Sequence, residues 1–117
     1  MDTFQAVADP VRRSIIERLA SGEASAGELA EHTSGEFGIS QPATSKHLRA
    51  LREAGLVSST IAAQRRIYRL DPRPLADIAD WAHRQHRFWS DRLDTLENQL
   101  LASGNPTDEN NTDKETT

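Results

Sequence analysis

Gln41, Ser45, Lys46 and Arg49 place an amide, a hydroxyl and two cations within one short stretch, and Arg65 and Arg66 follow further on. These are side chains that recognise nucleic acid. Gln pairs with adenine, Arg and Lys donate to guanine, and every cation among them can meet a phosphate. From Ser40 to Leu70 the chain carries Lys46, Arg49, Arg52, Arg65, Arg66 and Arg69 against Glu53 alone, although its net charge is −4. The cations are therefore concentrated rather than abundant, and their position matters more than their sum.

Other chemistries find less support. No cysteine is present, which removes disulfides, thiolate metal sites, cysteine nucleophiles and thiol redox sensing together. There is no glycine-rich phosphate loop, no serine elbow and no carboxylate pair with an enclosing cleft, so no enzyme activity is expected. Asp80, His83 and His86 fall at i, i+3 and i+6 and invite comparison with a weak zinc site. A solvated flank, with His86 half-covered beside Trp89, is the simpler reading, and neither metal nor cofactor is expected. His47 reads as a packing or phosphate-contact residue, and His32 has no partner visible in the sequence. Trp81, Phe88 and Trp89 fit the filling of a dimer core better than the lining of an effector pocket.

The elements that must position these residues are marked by local signals. Asp9 and Pro10 open an amphipathic helix through Val11, Ile15, Ile16 and Leu19, and Gly22 ends it. Ser25 and Glu28 form a capping-box pair that starts a short helix toward His32, and a polar connection from Thr33 to Gly38 is expected to follow. Ile39, Ser40 and Pro42 then announce a second helix, with Thr44, Leu48 and Leu51 inward and Gly55 as its stop. VSSTI and RRIYRL, separated by Ala62 to Gln64, predict a β-hairpin, with Ile67, Tyr68 and Leu70 pinning it to the core. From Pro72 to Leu101 the residues Leu75, Ile78, Ala82, Trp89, Leu93, Leu96 and Leu100 form one apolar stripe along a long helix, more than a small domain covers alone.

A short helix, a connection, a basic outward-facing helix and a hairpin together describe a winged helix-turn-helix. The stretches DPVRRSIIERLASGE, SAGELAEH, ISQPATSKHLRALREAGLV, RRIYRLD and RFWSDRLDTLENQL resemble the ArsR/SmtB-type winged-helix repressors over about residues 4 to 101. That resemblance implies a mainly α fold with a small hairpin wing, a homodimer joined through its first and last helices, and Gln41, Pro42, Ser45 and Lys46 as the base-facing set. It also directs attention to the family's metal sites, which this chain does not reproduce. The thiolates are missing from SAGELAEH, and either register of an Asp-x-His with His-x-x-Glu site, anchored on Asp77 or on Asp80, meets Ala, Ser or Leu where ligands are required.

The sequence thus predicts a regulator that binds double-stranded DNA as a homodimer, most simply a repressor on a palindromic operator. DNA contacts are assigned to Gln41, Pro42, Ser45, Lys46, Arg49, Arg65 and Arg66. The dimer interface is assigned to Phe4, Val7, Leu75, Ile78, Ala82, Trp89, Leu93, Leu96 and Leu100. Residues 1–101 are expected to form the binding and dimerisation domain and 102–117 a disordered acidic tail. Neither a secretory leader nor a run near the ~18 apolar residues of a membrane span is visible, so a cytoplasmic location is expected. Two alternatives stay open: a winged helix that binds protein instead of DNA, and a repressor answering to a metal, small molecule or partner protein through an unrecognised site.

Overall fold

The computed structural model describes residues 1–103, as five helices and three short strands. Each helix of the first half starts where a side chain can satisfy free backbone N–H groups. Helix α1 (Thr3–Ala6) is closed by a capping box between Asp2 and Gln5. In α2 (Pro10–Ala20), Asp9 Oδ1 accepts from the N–H groups of Val11 and Arg12 at 2.8 and 3.1 Å. Ser25 and Glu28 cap α3 (Ala26–Phe37) reciprocally, and Ser40 caps α4 (Gln41–Glu53) by accepting from Ala43 N–H.

Helix α4 ends in a Schellman arrangement. Gly55, at φ 76°, donates to Arg52 O, while Leu56 donates to Leu51 O at 3.0 Å. Leu51 and Leu56, the apolar pair that accompanies this motif, are both fully buried. They join Ile15, Leu29 and Leu48 in the core, with Val7, Ile39, Leu70 and Leu75 packed around its margin. Truncating a fully enclosed leucine such as Leu51 to Ala costs about 2–5 kcal/mol, so this cluster holds the helices in register.

The wing is a three-stranded antiparallel sheet. Strand β1 (Ala24–Ser25) lies beside β3 (Arg65–Leu70), and β3 pairs in turn with β2 (Val57–Ala62). Register runs from Val57 opposite Leu70 to Ala62 opposite Arg65, with Ala24 opposite Tyr68. Because Ala62 still pairs, the turn is only Ala63 and Gln64, both left-handed at φ 50° and 67°. Tyr68 faces the core and Leu70 packs against it, whereas Ile67 pairs with Ser25 and is only half-buried.

Two expectations about the elements need correction. The hairpin acquires a third strand, since the two residues before α3 add to the edge of β3. The expected connection from Thr33 to Gly38 is largely helical: α3 continues to Phe37, and only Gly38, at φ 68°, breaks it by donating to Ser34 O. The physical reason is Thr33, which is fully buried. Its hydroxyl bonds back to Leu29 O and lies 2.6 Å from Thr44 Oγ1 on α4, so a polar residue serves an inward position.

Helix α5 (Leu75–Ser103) extends two residues past the expected boundary at Leu101, and the rest of the proposed tail lies outside the described residues. The described residues fall into two compact units, residues 1–79 and the part of α5 from Asp80 onward. No helix among them is long and apolar enough to cross a membrane.

Candidate nucleic-acid interface

The amphipathic character of α4 sorts its residues cleanly. Thr44, Leu48 and Leu51 are buried, while Gln41, Pro42, Ser45, Lys46 and Arg49 are all exposed on the other side. The fold thus brings together the five helical residues expected at DNA, with Arg52 exposed at the end of the same helix. Pro42 sits in the first turn, where its missing N–H costs no helical hydrogen bond.

The wing arginines are partly engaged. Arg66 Nη1 donates to Ser59 Oγ at 3.1 Å across the hairpin, and Arg65 Nη2 stands 3.9 Å from Glu28 Oε1 on α3. The Glu28 carboxyl is held below its ordinary value first by the Ser25 N–H and then by the Ser25 hydroxyl, with smaller help from Arg65. Such an exposed, long ion pair is weak and screened by salt, so Arg65 can exchange Glu28 for a phosphate at little expense. Arg69, on the same strand, is held by Glu23 at 3.0 Å and by Thr60 Oγ1 at 2.8 Å. It braces the sheet.

Two of the histidines, His32 and His86, are placed differently from expectation. His32 does have partners: its Nε2 lies 2.8 Å from the buried Ser14 Oγ and 3.4 Å from Glu36 Oε1, and Ser14 also donates to Glu36, tying α2 to α3. His47 lies against Arg12 and Asp9 of the α2 N-terminus. Asp80, His83 and His86 are all exposed, so His86 is not half-covered within the chain. No group of three His, Asp or Glu side chains among the described residues is arranged to hold a metal ion.

The residues assigned to the interface between copies divide. Val7 and Leu75 pack against the chain's own core, and Ile78 is half-buried. Along the outer part of α5, Trp89, Leu93, Leu96 and Leu100 each expose more than half of their surface. Phe88 meets Trp89 edge-on at 5.3 Å, and the Arg92 guanidinium stacks 4.8 Å over the Phe88 ring.

Known proteins resemble this chain in sequence and in fold. The helix-turn-helix domain family matches residues 7–60. The HTH-type transcriptional regulator Rv2034 of Mycobacterium tuberculosis is 39% identical over 104 residues, covering 89% of this chain and 91% of that protein. The homodimeric winged helix-turn-helix DNA-binding domain of Mb0332 from Mycobacterium bovis, described as a possible ArsR-family transcriptional regulator, superposes with a TM-score of 0.55 at 27% identity over 71% of this chain and 79% of that one. The chain belongs to the ArsR family of helix-turn-helix transcriptional regulators. It is also 38% identical over 80 residues to the transcriptional repressor SdpR of Bacillus subtilis, covering 68% of this chain and 84% of that protein. In this chain α3, α4 and the β2–β3 wing follow one another without insertion.

Proposed function

We propose that this protein is a homodimeric repressor that reads a palindromic DNA site with α4 and steadies itself on the backbone with the wing. The observation that carries the reading is the one-sided helix α4, whose exposed face holds Gln41, Ser45, Lys46 and Arg49 over a buried face of Thr44, Leu48 and Leu51. A helix fits the major groove, where an amide and cations distinguish base pairs, whereas Arg65 and Arg66 meet phosphate or the minor groove and mainly fix position. Similarity to SdpR supports repression, which follows physically if the bound dimer occupies DNA that polymerase needs.

The dimer is assigned to the exposed stripe Trp89, Leu93, Leu96 and Leu100 of α5 with Phe4 of α1, and the homodimeric state of the similar Mb0332 domain supports it. Two α4 helices related by a two-fold axis would meet half-sites about one helical turn apart, near 34–36 Å. Gel-shift assays on the DNA upstream of the protein's own gene, with transcription from the same fragment read in parallel, test the function. A retarded complex with reduced transcript is expected, and a fragment neither shifted nor silenced would refute it.

A further inference from the structure

Arg12 spreads one guanidinium over three acceptors on two other parts of the chain. Its Nε donates to Ala6 O at 2.7 Å, its Nη2 to Gln5 O at 3.0 Å, and its Nη1 to His47 Nδ1 at 3.3 Å. Arg13 adds a bond to Val7 O at 2.8 Å, so adjacent arginines of α2 hold three consecutive carbonyls at the end of α1. The third bond of Arg12 leaves this group and reaches α4, where His47 stands between the exposed Lys46 and the buried Leu48.

The chemistry of that bond fixes the state of the imidazole. A guanidinium has five N–H donors and no acceptor, so His47 Nδ1 must accept, and the hydrogen of the neutral ring then sits on Nε2. Asp9 does not compete: its Oδ1 is 4.0 Å from His47 Nδ1 and already accepts from Val11 and Arg12 N–H. Lysine could not reproduce the arrangement, because a single ammonium cannot span acceptors that the planar fork reaches in three directions.

We propose that Arg12 is a positioning residue for DNA reading, which sets His47 as an Nε2–H donor on α4 and ties that helix to the last turn of α1. This rests on the proposed role of α4 at DNA. The consequence is that a displacement of α1, which carries Phe4 of the proposed dimer surface, is passed to the reading helix through one side chain.

The test combines a ring spectrum with binding. Long-range ¹H–¹⁵N spectra of histidine-labelled protein at pH 8 should show His47 protonated on Nε2 and bare on Nδ1, with the two tautomers mixed in Arg12→Met. Binding of upstream DNA should fall at least tenfold in Arg12→Met, and Arg12→Lys should recover little of it. In a His47→Ala background, Arg12→Met should add less than twofold, because Arg12 acts through His47. A wild-type ring protonated on Nδ1 would overturn the inference whatever the variants do. So would Arg12→Met binding DNA within twofold of wild type, or full additivity in the double variant. A wild-type protein that binds no DNA, with the ring as expected, would instead bring down the DNA-reading role on which the inference stands.

Discussion

The side-chain hydroxyls of Thr33 and Thr44 lie 2.6 Å apart in the interior, joining α3 to α4 where two apolar residues would ordinarily meet. Both also face backbone carbonyls, Leu29 O and Ser40 O, at 3.0 and 3.2 Å. Since each hydroxyl has one hydrogen, one must donate to a carbonyl while the other donates across the helix pair.

That arrangement predicts coupling. Thr33→Val and Thr44→Val should each destabilise the protein by about 1 kcal/mol, and the double variant by clearly less than the sum, since the first substitution already removes the shared bond. Urea titrations of the four proteins measure it, and strict additivity would deny the bond any role.

The wing turn predicts a gain instead of a loss. Ala63 and Gln64 both adopt left-handed backbone angles, which suit a tight hairpin but which L side chains resist. Replacing the pair by Asn-Gly should therefore raise stability by about 1 kcal/mol, visible as a higher melting temperature, whereas an unchanged or lower value would show that the turn carries no strain.

Asp9 gives a pH dependence whose sign is fixed. Burial pushes its carboxyl up, but the Arg12 N–H, the nearby His47, the Val11 N–H and the Arg12 charge together outweigh this and hold it below the ordinary 3.8. A carboxyl depressed in the folded state stabilises fully above its unfolded value and loses that contribution as pH falls through the folded value. Asp9→Asn keeps the cap acceptor but cannot ionise. The stability advantage of wild type over this variant should be present at pH 5 and shrink as the pH falls below 4. Taking the difference cancels Asp71, whose carboxyl Arg73 holds at about 2. An advantage that persists unchanged at pH 2.5 would contradict the assignment.

The apolar stripe of α5 predicts the oligomeric state. Leu93 and Leu96 are 61% and 52% exposed in the single chain, and covering such surface favours association by roughly 25 cal/mol per Å² before entropic costs. Leu93→Glu with Leu96→Glu should sediment as monomer at micromolar concentration, where wild type is expected to sediment as dimer. A variant that stays dimeric would move the interface elsewhere.

What the sequence disclosed, and what it concealed, follows from how local each signal is. Asp9 with Pro10, Ser25 with Glu28, Ser40 with Pro42, and Gly55 each mark a helix end through neighbours within a few residues, and all four ends stand where they were expected. The exposed face of α4 was legible for the same reason. The last turn of α3 was not, because Thr33 to Phe37 looks like a loop until Thr44, eleven residues away, supplies the partner for its hydroxyl. Strand β1 is two residues long and pairs with Tyr68 and Ile67, far along the chain, so no periodicity could announce it. Ser14 with His32, and Arg12 with His47, are contacts between helices of the same kind. At the site, residue type and helical face were readable, whereas the pairing of Arg65 with Glu28 and of Arg69 with Glu23 depended on how the sheet meets α3 and β1.

The function proposed for this chain requires that α4 reads sequence. Fluorescence anisotropy should be followed over a salt series, with one upstream site and one scrambled duplex, for wild type, Lys46→Ala and Arg66→Ala. Wild type is predicted to prefer the site by at least about 10³-fold. Lys46→Ala should lose about 1–3 kcal/mol on the site and much less on the scrambled duplex, while Arg66→Ala should weaken both alike and flatten the salt slope by about one unit. Equal wild-type affinity for the two duplexes, unchanged by Lys46→Ala, would contradict it.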